Sequence, residues 1–213
     1  MNAPMIQAPV YEMLKLLEEL ATFSATGPGV TRLLYTPEWS GAQHFLMERM
    51  SGMGLEARMD KVGNVYGRLG GSENSRKVIL TGSHIDTVVN GGSYDGAYGV
   101  AAAVTAIHHL QQTFGQPLRT LEVVSFCEEE GSRFPLTFWG SGNVTGIYDG
   151  NEAEACADPE GVTIRMAMEA CGLNNLIEAE WPTDTGGRTV REDVSSFVEL
   201  HIEQGIILEK SAQ

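Results

Sequence analysis

Two short apolar runs, KVILT at 77–81 and LEVVSF at 121–126, stand on either side of a stretch at 99–114. In that stretch Val100, Val104, Ile107, Leu110 and Phe114 recur at helical spacing. A strand covered on both faces reads as a continuous apolar run, whereas a helix packed on one side reads as a stripe with a period near 3.6. Strand, helix, strand in this order is a βαβ unit, which demands a parallel pair joined by a right-handed crossover. The fold class expected is therefore α/β, with a mostly parallel sheet flanked by helices.

The rest of the chain fits around that unit. Val10, Met13, Leu14, Leu17 and Leu20 predict an opening amphipathic helix. The segment 26–41 (TGPGVTRLLYTPEWSG) reads as a Gly/Pro-rich loop, and a second helix is expected over 42–51. Short strands are expected at 55–59 and 65–69 with a turn at Gly63 and Asn64, then a helix at 159–172 and a strand at 197–202 (FVELHI). Phe114 and the methionines are expected in the core. With 213 residues and 42% hydrophobic content, the chain can bury a sizeable core.

Composition excludes some functions. A net charge of -14 repels phosphate backbones, so no nucleic-acid partner is expected. Cys127, Cys156 and Cys171 form no CxxC pair, so neither a disulfide framework nor a zinc finger is implied, and reduced thiols in a cytoplasm are expected. The first twenty residues lack the basic and uninterrupted apolar regions of a signal peptide, and no apolar run approaches the ~20 residues that span a bilayer. No membrane partner is expected.

In open α/β sheets, functional groups collect beyond the carboxyl ends of the strands. Gly82-Ser83-His84-Ile85-Asp86-Thr87 follows the first apolar run, and Cys127-Glu128-Glu129-Glu130-Gly131 follows the second. Tyr94-Asp95-Gly96-Ala97 precedes the intervening helix, and His201 lies within or just after the 197–202 strand. Imidazole and carboxylate are the usual ligands of zinc and similar divalent ions. Asp86, two residues after His84, can orient that imidazole. Three successive carboxylates at a buried strand end are costly unless a cation or solvent offsets them. Taken singly, each cluster also fits an ordinary role: a capped loop at His84, a helix cap at Asp95, a solvated loop at 128–130, a packed strand histidine at His201. His44, His108 and His109 lie within helices and read as structural.

Together, GSHIDTVVNGGSYDGAYGV (82–100), EEEGSRF (128–134) and ELHIEQG (199–205) resemble the M20 family of metallohydrolases. The last two strings, with FWGSGNVTG (138–146), resemble its ureidohydrolase branch, whose members act on allantoate, N-carbamoyl-L-amino acids and β-ureidopropionate. The resemblance implies a metallopeptidase-like catalytic domain holding two divalent ions, Zn2+ or Mn2+. By position, His84 and His201 match ligands of one ion, Asp95 the bridging carboxylate and Glu130 a ligand of the second ion. Glu129 matches the general base and Asp86 the residue orienting His84, while Glu128 is given no role. The implied reaction is hydrolysis of a ureido C–N bond in a small-molecule substrate, with release of ammonia and carbon dioxide. Family members are roughly twice this length, so residues 1–213 are expected to be a partial catalytic domain, truncated before the lid and dimerisation domain. A homodimer is expected of full-length relatives.

Overall fold

The computed structural model describes residues 9–73, 77–173 and 190–211. Its elements follow the order α1 (Val10–Ala21), α2 (Pro37–Gly52), β1 (Glu56–Met59), β2 (Val65–Leu69), β3 (Val78–His84), α3 (Ala97–Phe114) and β4 (Thr120–Phe126). Then come α4 (Trp139–Thr145), α5 (Glu152–Ala155), α6 (Ile164–Ala170), β5 (Val194–Val198) and α7 (Ile207–Ser211). The strands form one sheet in the order β1-β2-β4-β3-β5. β3 pairs in parallel with both β4 and β5, β2 runs against β4, and β1 runs against β2. β2 alone therefore opposes the other described strands, and the sheet is mostly parallel, as the βαβ pattern requires.

Alternation along the strands divides the core. Val65, Leu69 and Val123 join Leu16, Leu17 and Leu20 of α1, Leu46 and Met50 of α2, and Val100, Val104 and Ile107 of α3 in one cluster. Their neighbours in sequence, Tyr66 and Val124, pack instead with Leu80 and with Val144 of α4. A period of two sends successive side chains to opposite faces, so α1, α2 and α3 cover one face and α4 the other. Glu122 of β4 is fully buried and is held by Arg68 and Arg191, each at 2.7 Å. Charged groups of this kind persist in an interior only when paired.

Several expectations are corrected. The second helix begins at Pro37, not 42, because Thr36 caps it by accepting the Trp39 N–H and proline suits the first helical turn. The helix expected over 159–172 is confined to Ile164–Ala170 by the Thr163 cap. The last strand spans Val194–Val198, earlier than 197–202, because it pairs from Val78 onward with β3. Phe114 is exposed at the C-terminal end of α3, and Val10 and Leu14 of α1 are exposed while Leu16 is buried. All three cysteines are free. Among the described residues no helix is long and apolar enough to cross a membrane.

Within the segment read as a loop, Arg32 is buried, and its guanidinium reaches under the β3–α3 connection. Nε donates to the Ile85 carbonyl, and Nη1 donates to those of Leu20 (2.8 Å) and Phe23 (3.0 Å). Its backbone N–H donates to Thr87 Oγ1 at 2.9 Å. Burial lowers the Arg32 pKa to about 10, against the opposing pull of Asp86. Arg32→Met keeps the length and removes the donors, leaving buried carbonyls unpaired. We expect a loss of about 2–4 kcal/mol in unfolding free energy, read by urea denaturation. A loss below ~0.5 kcal/mol, the size of an ordinary surface substitution, would show that the guanidinium contributes nothing net.

Candidate metal centre

His84 is the last residue of β3, and the carboxylate loop opens two residues past the end of β4, so adjacent parallel strands deliver both to the same edge. The His84 ring is nearly inaccessible. Nδ1 lies 3.1 Å from the Asp86 carbonyl oxygen and 3.5 Å from its Oδ1, while Nε2 faces Glu129 Oε2 at 3.7 Å. With Nδ1 occupied, Nε2 is the nitrogen left for a ligand, and it is buried without a hydrogen-bond partner. Burial opposes the protonated ring, but the Asp86 carboxylate, then Glu129, more than offset this and raise the His84 pKa to about 9.

Asp86 serves the loop as well as the histidine. Its Oδ2 accepts the backbone N–H of Glu129 (2.9 Å) and of Glu130 (3.1 Å). From the other side, the first turn of α4 donates to the same loop: Trp139 N–H to the Glu128 carbonyl at 3.0 Å and Gly140 N–H to that of Cys127 at 2.8 Å. Asn64 Oδ1 takes the Cys127 N–H at 2.9 Å. The three acids end in different environments. Glu128, at a positive φ of 50°, is buried and accepts the Ser132 N–H at 2.8 Å. Burial, reinforced by Asp86, raises its pKa to about 8. Glu129 and Glu130 are only half-buried, and burial raises both, with the charge of Asp95 adding to each. The solvated-loop reading thus fails for Glu128.

Asp95 is not the cap of α3. That position belongs to Gly96, with no side-chain cap, and Asp95 Oδ1 points at His201 Nε2 across 3.4 Å with no hydrogen-bond partner of its own. Gly96 has a left-handed φ of 59°, and a Cβ there would lie 2.5 Å from three atoms of the His84 ring. Only glycine allows the Asp95 turn to approach the imidazole so closely. His201 follows β5, is partly exposed, and stacks on His84 with centroids 6.0 Å apart.

Two groups of possible ligands result: His84, Asp95 and His201, and His84, Glu129 and Glu130. Within each, the donor atoms lie within 4.8 Å of one another. His84, Asp95, Glu129, Glu130 and His201, all singled out in the sequence, therefore meet at one place, and Asp86 lies against His84. His84 is common to both groups. His44 and His108 turn their Nδ1 to the Ser40 and Met53 carbonyls, as structural residues do. The supporting roles of Arg32, Asn64 and Gly96 were not foreseen. Only the glycine directly after Asp95 offered a signal.

Residues 80–213 match the model of peptidase family M20/M25/M40. The chain belongs to this family. Among M20-type relatives, it is 52% identical over 198 residues to the allantoate amidohydrolase of Bacillus subtilis, covering 92% of this chain and 46% of that protein. It is 48% identical to the allantoate amidohydrolase of Escherichia coli, covering 91% of this chain and 46% of that protein. A crystal structure of a hydantoinase/carbamoylase family amidase from Burkholderia ambifaria superposes with a TM-score of 0.83 at 30% identity, over 98% of this chain and 48% of that one. The chain thus spans about half the length of the M20 relatives it matches.

Without a cation the centre favours protonation, which makes stability depend on pH. His84 is raised from 6.5 to about 9, so its contribution is complete below 6.5 and lost as pH rises to 9. Glu128 is raised from 4.5 to about 8, so folding favours its neutral form, and that contribution disappears between 4.5 and 8. Both effects have the same sign. In a chelator, the melting temperature should fall steadily from pH 5 to pH 9, and a flat or rising profile would contradict these environments. Gly96→Ala should displace His84 and lower Zn2+ affinity by about tenfold or more, the scale on which ligand orientation acts. Unchanged affinity in a chelator competition would show that the approach is not required.

Proposed function

We propose that this chain carries the metal-binding part of the catalytic domain of an amidohydrolase that cleaves a ureido C–N bond of allantoate, releasing ammonia and carbon dioxide. The observation that carries the reading is the convergence of His84, Asp95, Glu129, Glu130 and His201 around two buried atoms without partners, His84 Nε2 and Asp95 Oδ1. Unpartnered buried donor atoms are costly, and a cation is what a set of imidazole and carboxylate groups accommodates. The similarity to two allantoate amidohydrolases supports the substrate.

In this reading His84, Asp95 and His201 hold one divalent ion and Glu130 contributes to a second, with Zn2+ or Mn2+ as the ions. When bound, the ions supply polarisation of the ureido carbonyl and a water acidic enough to lose a proton near neutral pH. The protein residues do the rest. Glu129, half-buried beside His84 and with a raised pKa, receives that proton and passes it to the leaving nitrogen. Asp86 keeps Glu129 and Glu130 in place through their backbone N–H groups and keeps the His84 ring in one orientation. A ureido carbon is a weak electrophile because two nitrogens donate into it, so the polarising ions suit this substrate class. A soluble, cytoplasmic enzyme that forms a homodimer belongs to the same reading.

A second reading is hydrolysis of N-carbamoyl-L-amino acids, favoured by the likeness to a hydantoinase/carbamoylase family amidase. Ammonia release from allantoate, compared with amino-acid release from N-carbamoyl substrates, separates the two. The metal-loaded full-length protein should prefer allantoate by kcat/KM, and a preference for N-carbamoyl substrates would select the second reading. Activity on neither would leave a metal-binding protein without this chemistry. In the active form, Glu129→Gln should retain metal and lose ~10²–10⁴-fold in kcat. Near-normal turnover would remove Glu129 as the base.

A further inference from the structure

His201 is the least anchored ligand. It lies beyond the last hydrogen-bonded residue of β5, Val198, in a segment without regular structure, and it is partly exposed. Its own Nδ1 meets only the adjacent Ile202 carbonyl at 2.9 Å. What holds it over the centre must come from residues on either side.

Two side chains do this. Two residues before His201, Glu199 Oε1 accepts a hydrogen bond from Ser83 Oγ at 2.6 Å, and Ser83 is the buried neighbour of His84. Three residues after it, Gln204 Nε2 donates to Asp95 Oδ2, also at 2.6 Å. Between these, the Leu200 carbonyl rests against Gly99 of α3, so closely that any side chain at 99 would collide with it and with Ser83 Cβ. Each tether ends beside a ligand of the opposing wall: Ser83 adjoins His84, and Gln204 touches Asp95 itself.

The geometry points to Glu199 and Gln204 as positioning residues that bracket His201 and set its distance from His84 and Asp95. The inference rests on the reading of these three as metal ligands. The Gln204 amide also fixes the Asp95 carboxylate, leaving Oδ1 turned towards His201 Nε2. Neither bracket residue lies in a hydrophobic cluster, and both are exposed. Their loss should therefore loosen the centre without unfolding the protein.

The test is Zn2+ affinity by chelator competition in the full chain, alongside the melting temperature of the metal-free form. Glu199→Ala and Gln204→Ala should each lower affinity by about tenfold, the scale of one hydrogen bond to a charged group. Their metal-free melting temperatures should match the parent. Glu199→Gln keeps an acceptor for Ser83 and should retain affinity. Gln204→Glu places a carboxylate against Asp95 and should cost more than the alanine. Unchanged or increased affinity in both alanine variants overturns the bracket, as does a loss matched by an equal fall in metal-free stability. Asp95→Asn separates the two levels of the argument. If it leaves Zn2+ affinity intact, the metal-site reading fails; if it abolishes tight binding while the bracket variants bind normally, only the bracket fails.

Discussion

The centre depends on one buried carboxylate. Asp86 sits where β3 ends, and its Oδ2 collects the two backbone N–H groups that open the loop after β4, at Glu129 and Glu130. A parallel pair of strands brings its two carboxyl ends together but leaves the following loops free to diverge. Asp86 joins them. Through its carbonyl and Oδ1 it also sets the ring of His84, so one residue fixes an imidazole and two acids relative to each other. Arg32 secures the same connection from beneath, with its guanidinium on the Ile85 carbonyl and its backbone N–H on Thr87.

The result is an arrangement that is expensive when empty of charge compensation. Asp86, Glu129, Glu130 and Asp95 gather at one imidazole, and Glu128 is buried close to Asp86. Burial, reinforced by Asp86, raises Glu128, and the carboxylates of Asp86 and Glu129 raise His84, so both favour the protonated form. In the proposed reading a divalent cation at His84 would displace the proton that the ring holds, which would link metal binding to pH. Glu128 differs from the two acids after it. Its positive φ and its hydrogen bond to the Ser132 N–H make it part of the loop's framework.

Much of this could be read from the sequence because it follows from period and position. KVILT and LEVVSF are buried as strands, the helix between them buries Val100, Val104 and Ile107, and the polar clusters lie at their ends. What escaped reading has a common cause: it depends on contacts between distant segments. Arg32 looks like a loop residue until three carbonyls from elsewhere close on it. Glu122 interrupts an apolar run, and only Arg68 and Arg191 explain its burial. The start of α2 falls inside the segment that reads as a loop, because Gly and Pro in 26–41 outweigh the Thr36-Pro37 signature of a helix N-terminus. Phe114 fits the helical stripe, but the stripe outruns the sheet beneath it.

The two clusters are not equivalent, and the fold explains why. His84, Glu129 and Glu130 come from adjacent strand ends already tied by Asp86, so their spacing is set once β3 and β4 pair. His84, Asp95 and His201 come from three places: a strand end, a helix entry and a segment that has left the sheet. Gly96 lets the helix entry approach, and the contacts flanking His201 bring in the third. The first group is organised by backbone pairing, the second by side chains and a glycine. In the proposed reading, a cation held by the second group would do more of its ordering and would tie the edge strand β5 to the centre of the sheet. In that reading β5 and the centre are coupled, because a shift of β5 along β3 carries His201 with it.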